Sequence, residues 1–250
     1  MMEILVAMPL VGRDAGLVPG WAAAVAAIAA AHPGVKFVTR AAVRGLDIAA
    51  KDACRAADIG IVEVPWYDIP PGRRKNKAGV TLKRIRLARE AILRGAVAIW
   101  YIDADVRPRP AHWAAIDALF RAHKTVVVLP YPPRWAPGHS PVVGIVNGDA
   151  QPELRDARCF RANEASSDVE ASSAVIAGGG FGCTAIIAVV AGTTPFIVRE
   201  AVNADGRLTG GEDVGWFLNA HRAGIEVRMP LGVVVEHIGC EPDVGPGRII

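Results

Sequence analysis

Cysteine is scarce in this 250-residue sequence, and the four present (Cys54, Cys159, Cys183 and Cys240) share neither a CxxC spacing nor a near neighbour. That excludes a zinc knuckle and a disulfide framework and fits a reducing, cytoplasmic setting. An excess of one charge is also missing. The formal net charge is +3, too small to indicate a nucleic-acid or membrane partner unless the charges cluster locally. The start, Met1 to Pro9, has neither the basic opening nor the uninterrupted apolar stretch of a secretion signal and reads as a β-strand. Trp21 to Ala31 is apolar but about half the length a bilayer span requires, so a buried helix is expected and no transmembrane segment.

What is present is an ordinary globular balance: 52% apolar and 21% charged residues, with 26 glycines and 18 prolines enriching it in turns. The length suffices for one large α/β domain with a sizeable core. Short β-like runs alternate with helical stretches through the first half, which predicts parallel strands joined by crossover helices. Strands are predicted at Glu3 to Met8, Val35 to Thr39, Ile59 to Val64, Ala98 to Ile102 and Thr125 to Leu129, and helices at Pro19 to Ala31, Asp47 to Ala57, Lys77 to Arg94 and Pro110 to His123. Asp47 is placed to cap a helix, and Gly34, Gly60 and Gly95 follow helical stretches where a left-handed residue is wanted.

From Tyr131 to Gly180 the pattern breaks into Pro, Gly, Ser and charged residues, with short strands expected at Val142 to Val146 and Ala174 to Ala177. Beyond lie a glycine-rich turn at Gly178 to Gly182, a helix from Ala185 to Val190, a helix from Glu212 to Ala223, and strands at Glu226 to Met229 and Val233 to Glu236. No internal repeat or linker divides the chain, so residues 1–250 are read as one domain in two functional halves meeting near residue 130. Its fold class is α/β, with a mostly parallel central sheet, helices on both faces and a smaller second sheet. Ligands of such sheets bind at the carboxyl ends of the strands.

The apolar run Ala98 to Ile102 stops at Asp103-Ala104-Asp105. Two carboxylates at i and i+2 after a buried strand cannot both enter the core unpaired. A divalent cation shared with a diphosphate would compensate them; solvation, or pairing with Arg107 and Arg109, is the structural alternative. Glu212 and Asp213 open a helical segment that Gly224 closes. They read either as carboxylates favoured by the helix dipole or as a general base for an acceptor hydroxyl. His237 follows Val233-Val234-Val235 at another strand end and reads either as a satisfied polar or surface residue or, with Asp103 and Asp105 in view, as a neutral imidazole that joins them as a metal ligand. The remaining histidines fall in helices, turns or loops.

Together these segments resemble the GT-A-fold glycosyltransferases, particularly the large inverting group. Three blocks carry the match: Ala98 to Pro108 with its D-x-D, the glycine-rich turn Gly178 to Ala185, and Gly211 to Gly239 with its Glu-Asp helix, strand and His-x-Gly. The resemblance implies a metal-dependent transferase moving a sugar from a UDP- or GDP-linked donor to a saccharide, lipid or protein acceptor, with Mn²⁺ or Mg²⁺ bound. It implies that Asp105 and His237 ligate the metal, that Asp103 contacts the donor ribose or a metal-bound water, and that Asp213, with Glu212 beside it, is the catalytic base. Pro9 would lie against the nucleotide base, with Arg13 and Asp14 in the same loop, and Arg86 and Ala104 beside the donor. Residues 1–130 would form the donor half and 131–250 the acceptor-binding and catalytic half.

The chain departs from that pattern in places. It has Thr39-Arg40 where an acidic pair often follows the second strand, Arg86-Leu87 where Arg-Asn is common, Gly215 where another acid is frequent and Asn219 where an arginine is.

The basic segment Arg73 to Lys77, continued by Lys83, Arg84, Arg86 and Arg89, reads as a solvated helix face from which some cations reach the donor diphosphate. It lacks the interleaved aromatics of a single-strand platform, so no nucleic-acid partner is expected. Trp66, Tyr67, Trp135 and Trp216 are candidate sugar-stacking residues, with core packing as the alternative. Two rivals stand beside the transferase reading: a nucleotidyltransferase acting on a sugar phosphate, and an inactive nucleotide- or carbohydrate-binding module.

Overall fold

Helices cover both faces of a single sheet, and its central strands are accordingly apolar throughout rather than alternating. The computed structural model describes residues 1–65, 75–132, 142–145, 153–157, 172–196, 201–202, 208–209 and 212–238. Strand β1 (Met2–Pro9) leads through a 3-10 turn (Gly12–Leu17) into α1 (Val18–Ala31), followed by β2 (Val35–Arg44), α2 (Ile48–Ala56), β3 (Gly60–Val64) and α3 (Lys75–Leu93). Next come β4 (Ala98–Ile102), β5 (Val106–Arg107), α4 (Pro110–Arg121), β6 (Val126–Val128), β7 (Val142–Ile145), β8 (Glu153–Asp156) and β9 (Ser173–Ile176). The rest comprises β10 (Cys183–Ile187), α5 (Ala188–Thr193), β11 (Ala201–Val202), β12 (Leu208–Thr209), α6 (Glu212–Arg222), β13 (Val227–Pro230) and β14 (Glu236–His237).

The eight-stranded sheet has the order β3-β2-β1-β4-β10-β6-β13-β9 and draws strands from both halves of the chain. Strands β1, β2, β3 and β4 are mutually parallel, and β6 and β13 run the same way, while β10 runs against β4 and β6 and β9 against β13. Three two-stranded ribbons accompany it, β11-β12, β14-β5 and β7-β8. Alternate residues of β1 serve the two faces: Ile4, Val6 and Met8 pack with α1, α2 and α4, and Leu5 and Ala7 pack with α3, α5 and α6.

Helix α1 buries the stripe Val18, Trp21, Val25 and Ile28, and the Trp21 indole donates to the Ile102 carbonyl at 3.2 Å. Counted with its 3-10 lead, Gly12–Ala31 has the length and apolar composition to cross a membrane. The α-helix proper has 14 residues, fewer than the roughly 20 a span uses, and packs one face on the sheet.

Four expectations are corrected. No helix starts at Ala185: β10 occupies Cys183–Ile187 and α5 begins at Ala188. A short apolar run buried on both faces has no periodicity to separate strand from helix, and β-branched Thr184, Ile186 and Ile187 favour the strand. Residues 233–235 form no strand, the ladder being confined to Glu236–His237. Strand β2 runs to Arg44 instead of Thr39, because Ala41, Ala42 and Val43 are buried and pair with β3. Among the glycines, Gly95 takes the left-handed conformation (φ +69°) after α3, but after α2 that role falls to Asp58 (φ +53°), whose short polar side chain tolerates it.

Candidate functional site

The fully buried β4 ends at Ile102, and the chain turns at once: the Asp103 N–H donates to the Gly182 carbonyl at 2.9 Å, and the Val106 N–H donates back to the Asp103 carbonyl at 3.0 Å. Because β10 is antiparallel to β4, its first residues arrive at the end where β4, β6 and β1 finish. The glycine-rich turn is thereby joined to the D-x-D by a main-chain hydrogen bond. On the other side, α3 delivers Arg84, whose side chain is 4% exposed and whose Nη2 lies 3.4 Å from Asp103 Oδ1. The guanidinium lies over the Phe181 ring at 4.8 Å, an arrangement that keeps a buried cation beside the carboxylate.

Asp105 is held differently. The ribbon of β5 and β14 pairs Val106 with His237, and the Ile238 N–H donates to the Asp105 carbonyl at 2.7 Å. That register brings His237 Nε2 to 2.9 Å from Asp105 Oδ2. The buried imidazole uses its other nitrogen on Pro132: a carbonyl only accepts, so Nδ1, at 2.7 Å, is the protonated nitrogen. Nε2 then faces Asp105 either as the second N–H of an imidazolium or as a lone pair, and a lone pair beside a carboxylate is favourable only with a cation between them.

These groups fit a divalent cation. Oxygen and imidazole are suitable ligands, and 2.9 Å matches the roughly 3 Å edge of an octahedron with bonds of about 2.1 Å. The Pro132 contact supplies the outer-shell hydrogen bond that fixes a ligating histidine. Among the described residues no group of three or more His, Cys, Asp or Glu side chains gathers at a possible metal position. Two protein ligands are nonetheless ordinary for a cation whose remaining positions go to water and substrate phosphate.

Tyr131, just past the end of β6, sits among these residues. Its hydroxyl accepts the Gly182 N–H at 3.1 Å and its ring meets the His237 ring edge-on at 5.4 Å. Burial, reinforced by the negative charges of Asp103 and Asp213, pushes its pKa well above the usual phenol value, so it is a neutral hydroxyl. Gly182 makes room for it: a Cβ there would stand 2.5 Å from the Tyr131 oxygen. Asp213, in the first turn of α6, accepts the Val214 N–H at Oδ1 (2.9 Å), and Phe217 of the same helix packs under Gly178. Asp103 and Asp213 therefore both raise the pKa of one part-buried hydroxyl, although they come from different halves of the chain.

The other predicted residues are placed as follows. Ala104 is buried in the core, and its carbonyl accepts from Arg107 Nη1 at 2.6 Å. Arg107 also bonds the carbonyls of Val106 and Leu17; burial lowers its pKa, opposed by the charges of Asp105 and Glu236. Arg109 lies 3.8 Å from Glu236. Pro9 is buried in register with Ala42, and Arg13 is exposed, 3.8 Å from Asp14. Arg86 is exposed on α3. The solvated-face reading of that helix is corrected at Lys83 and Arg84, which are 3% and 4% exposed. Trp216, a sugar-stacking candidate, is fully buried among Phe181, Phe196 and Phe217. The Glu212 side chain and Trp66, Tyr67 and Trp135 lie outside the described residues.

A second cluster lies at the loop after β1. Lys83 Nζ donates to the Leu10 carbonyl, and burial first, then the nearby Arg44 cation, brings its pKa down to about 8 against the opposing pull of Asp47 and Asp14. Asp47 caps α2 through the Ala50 N–H at 3.3 Å and stands against Gly12, where a Cβ would meet its Oδ1 at 2.5 Å. With β2 extended to Arg44, Asp47 is the carboxylate following that strand, a position where Thr39-Arg40 had seemed to offer none. The sequence offered no role for Tyr131, and for Asp47 it indicated the helix cap but not the contact with Gly12. The signal available for both was position just beyond a strand.

No protein-family model matches the chain. An uncharacterized protein of African swine fever virus, from a Kenyan pig isolate, is 27% identical over 179 residues, covering 67% of this chain and 73% of that protein. Its counterpart in a Namibian warthog isolate is 26% identical over 177 residues, covering 67% and 71%. Among solved structures, TarS of S. aureus in complex with UDP-GlcNAc superposes with a TM-score of 0.49 at 9% identity, over 100% of this chain and 62% of that one. The inositol-1-phosphate CTP transferase from T. maritima does so with a TM-score of 0.48 at 12% identity, over 98% and 92%. The strand order and register themselves define the class: a mixed α/β protein with a large, mostly parallel central sheet flanked by helices.

Proposed function

We propose that the protein is a metal-dependent glycosyltransferase that takes a sugar from a nucleoside diphosphate donor and passes it to an acceptor hydroxyl with inversion. The observation that carries the reading is the Asp105–His237 pair at 2.9 Å, with the imidazole's far nitrogen tied to Pro132. In this reading Asp105 and His237 hold Mn²⁺ or Mg²⁺, which would neutralise the leaving diphosphate. Asp103, fixed by Gly182 and Arg84, orients the donor. Asp213, at the start of α6, takes the proton of the acceptor hydroxyl as its oxygen bonds the anomeric carbon and the diphosphate leaves. The test is calorimetric titration of UDP and GDP with and without Mn²⁺, followed by an assay for sugar release. Nucleotide affinity indifferent to Mn²⁺ would refute the reading.

One observation favours a nucleotidyltransferase as the second reading. That chemistry wants a cation in the loop after the first strand, and Lys83 supplies one from α3 at the Leu10 carbonyl. Pyrophosphate release from CTP or UTP in the presence of a sugar 1-phosphate, without transfer from a nucleotide sugar, would select it.

A further inference from the structure

The D-x-D carboxylates are positioned by two separate chains of contacts, and both lead to one residue. From Asp103 the main-chain N–H goes to the Gly182 carbonyl (2.9 Å), and the N–H of Gly182 goes to the Tyr131 hydroxyl (3.1 Å). From Asp105 the carboxylate meets His237 Nε2 (2.9 Å), and the His237 ring packs edge-on to the Tyr131 ring (5.4 Å). The hydroxyl thus serves the Asp103 side and the ring serves the Asp105 side. Since Pro132, the neighbour of Tyr131, accepts from His237 Nδ1, the histidine is fixed by this short segment in both tilt and tautomer.

We propose that Tyr131 is the positioning residue of the metal and donor site, its ring orienting His237 for the cation and its hydroxyl holding, through the Gly182 peptide, the Asp103 segment that meets the donor. This rests on the metal-dependent transferase reading and adds to it a division of labour within one side chain. Packing beneath the site without positioning would make the two halves of the side chain inseparable in their effects. Positioning makes them separable, because phenylalanine keeps the ring and loses only the hydroxyl, whereas leucine loses both.

The experiment compares the full-length wild type with Tyr131→Phe and Tyr131→Leu. Mn²⁺ affinity is followed by loss of the free-ion electron paramagnetic resonance signal, and affinity for UDP, GDP and CDP is measured by calorimetry at saturating Mn²⁺. Tyr131→Phe is expected to bind Mn²⁺ within about twofold of wild type and the accepted nucleotide about tenfold more weakly. Tyr131→Leu is expected to lose about tenfold or more in both. Wild-type nucleotide affinity in Tyr131→Phe overturns the proposal, as does an equal loss of Mn²⁺ affinity in the two variants. If Tyr131→Leu does not fold, Tyr131→Phe decides alone. A wild type that binds no Mn²⁺ in the presence of any of the three nucleotides overturns the transferase reading itself and this inference with it, a result distinct from failure of the variants.

Discussion

His237 meets Asp105 at 2.9 Å with its other ring nitrogen already committed to the Pro132 carbonyl at 2.7 Å. Under the proposed function, removing either partner would leave half of the cation's protein ligands. Asp105→Ala and His237→Ala are each expected to weaken Mn²⁺-dependent nucleotide binding at least tenfold, about 1.4 kcal/mol or more. The check is titration of UDP and GDP in the presence of Mn²⁺, and an affinity that does not move in either variant would count against the site.

The proposed function assigns Asp213 the proton, not the donor. Asp213→Asn keeps the shape and removes the base. Turnover should fall by roughly 10²–10⁴-fold while Mn²⁺-dependent nucleotide affinity stays near wild type. Steady-state kinetics beside calorimetry separates the two quantities, and retained turnover would sink the assignment.

Gly182 has no room for a side chain. An alanine there would place its Cβ 2.5 Å from the Tyr131 oxygen in a closely packed region. Gly182→Ala should cost roughly 1–3 kcal/mol of stability through displacement of Tyr131 and should weaken nucleotide binding with it. Thermal and urea unfolding measure the first effect. A variant as stable as wild type with full affinity would show that the turn is more yielding than its packing indicates.

His112 is a buried imidazole whose Nδ1 accepts the Arg109 N–H at 2.7 Å in the capping box of α4. Burial, then the Arg109 cation, drives its pKa down to about 4. An unfolded-state value near 6.5 lies above this, so the unfolded chain takes up the proton first and stability is lost as pH falls from about 6.5 towards 4. The loss reaches at most roughly 3 kcal/mol. His112→Gln, which can still cap, should show a flatter stability profile across that interval in urea unfolding at stepped pH. An unchanged slope would mean that other groups carry the acid sensitivity.

Much of the parallel half of the fold was legible because β1 and β4 are apolar runs ended by turn formers and some helices carry recognisable caps, as with Asp47 before α2 and Gly95 after α3. Strand β10 was not, because Cys183 to Ile187 is apolar on both faces and only its neighbours β4 and β6 make it a strand. The site divided in the same way. Asp103 and Asp105 announced themselves by interrupting an apolar run, whereas the burial of Lys83 and Arg84 depends on the side of α3 that meets the sheet, which that helix's dense charge concealed. Tyr131 carries no motif, and its importance comes from Gly182 and His237, which are remote from it in sequence. Asp47 was visible as a cap, yet its nearness to Gly12 and Lys83 follows from the unexpected length of β2.

The reversed strand β10 and the β5–β14 ribbon also govern when the site can exist. Ile102 has Cys183 as its partner and Val106 has His237, so neither pairing can form until long stretches of chain have been made and brought back. Such distant closures come late and slowly in folding. During synthesis the parallel strands β1 to β4 can assemble while Asp103 and Asp105 still face water, and the residue that completes the pair with Asp105 emerges among the last of the described positions. A nascent chain of this protein would therefore pair β1 to β4, half of its sheet, well before His237 can meet Asp105.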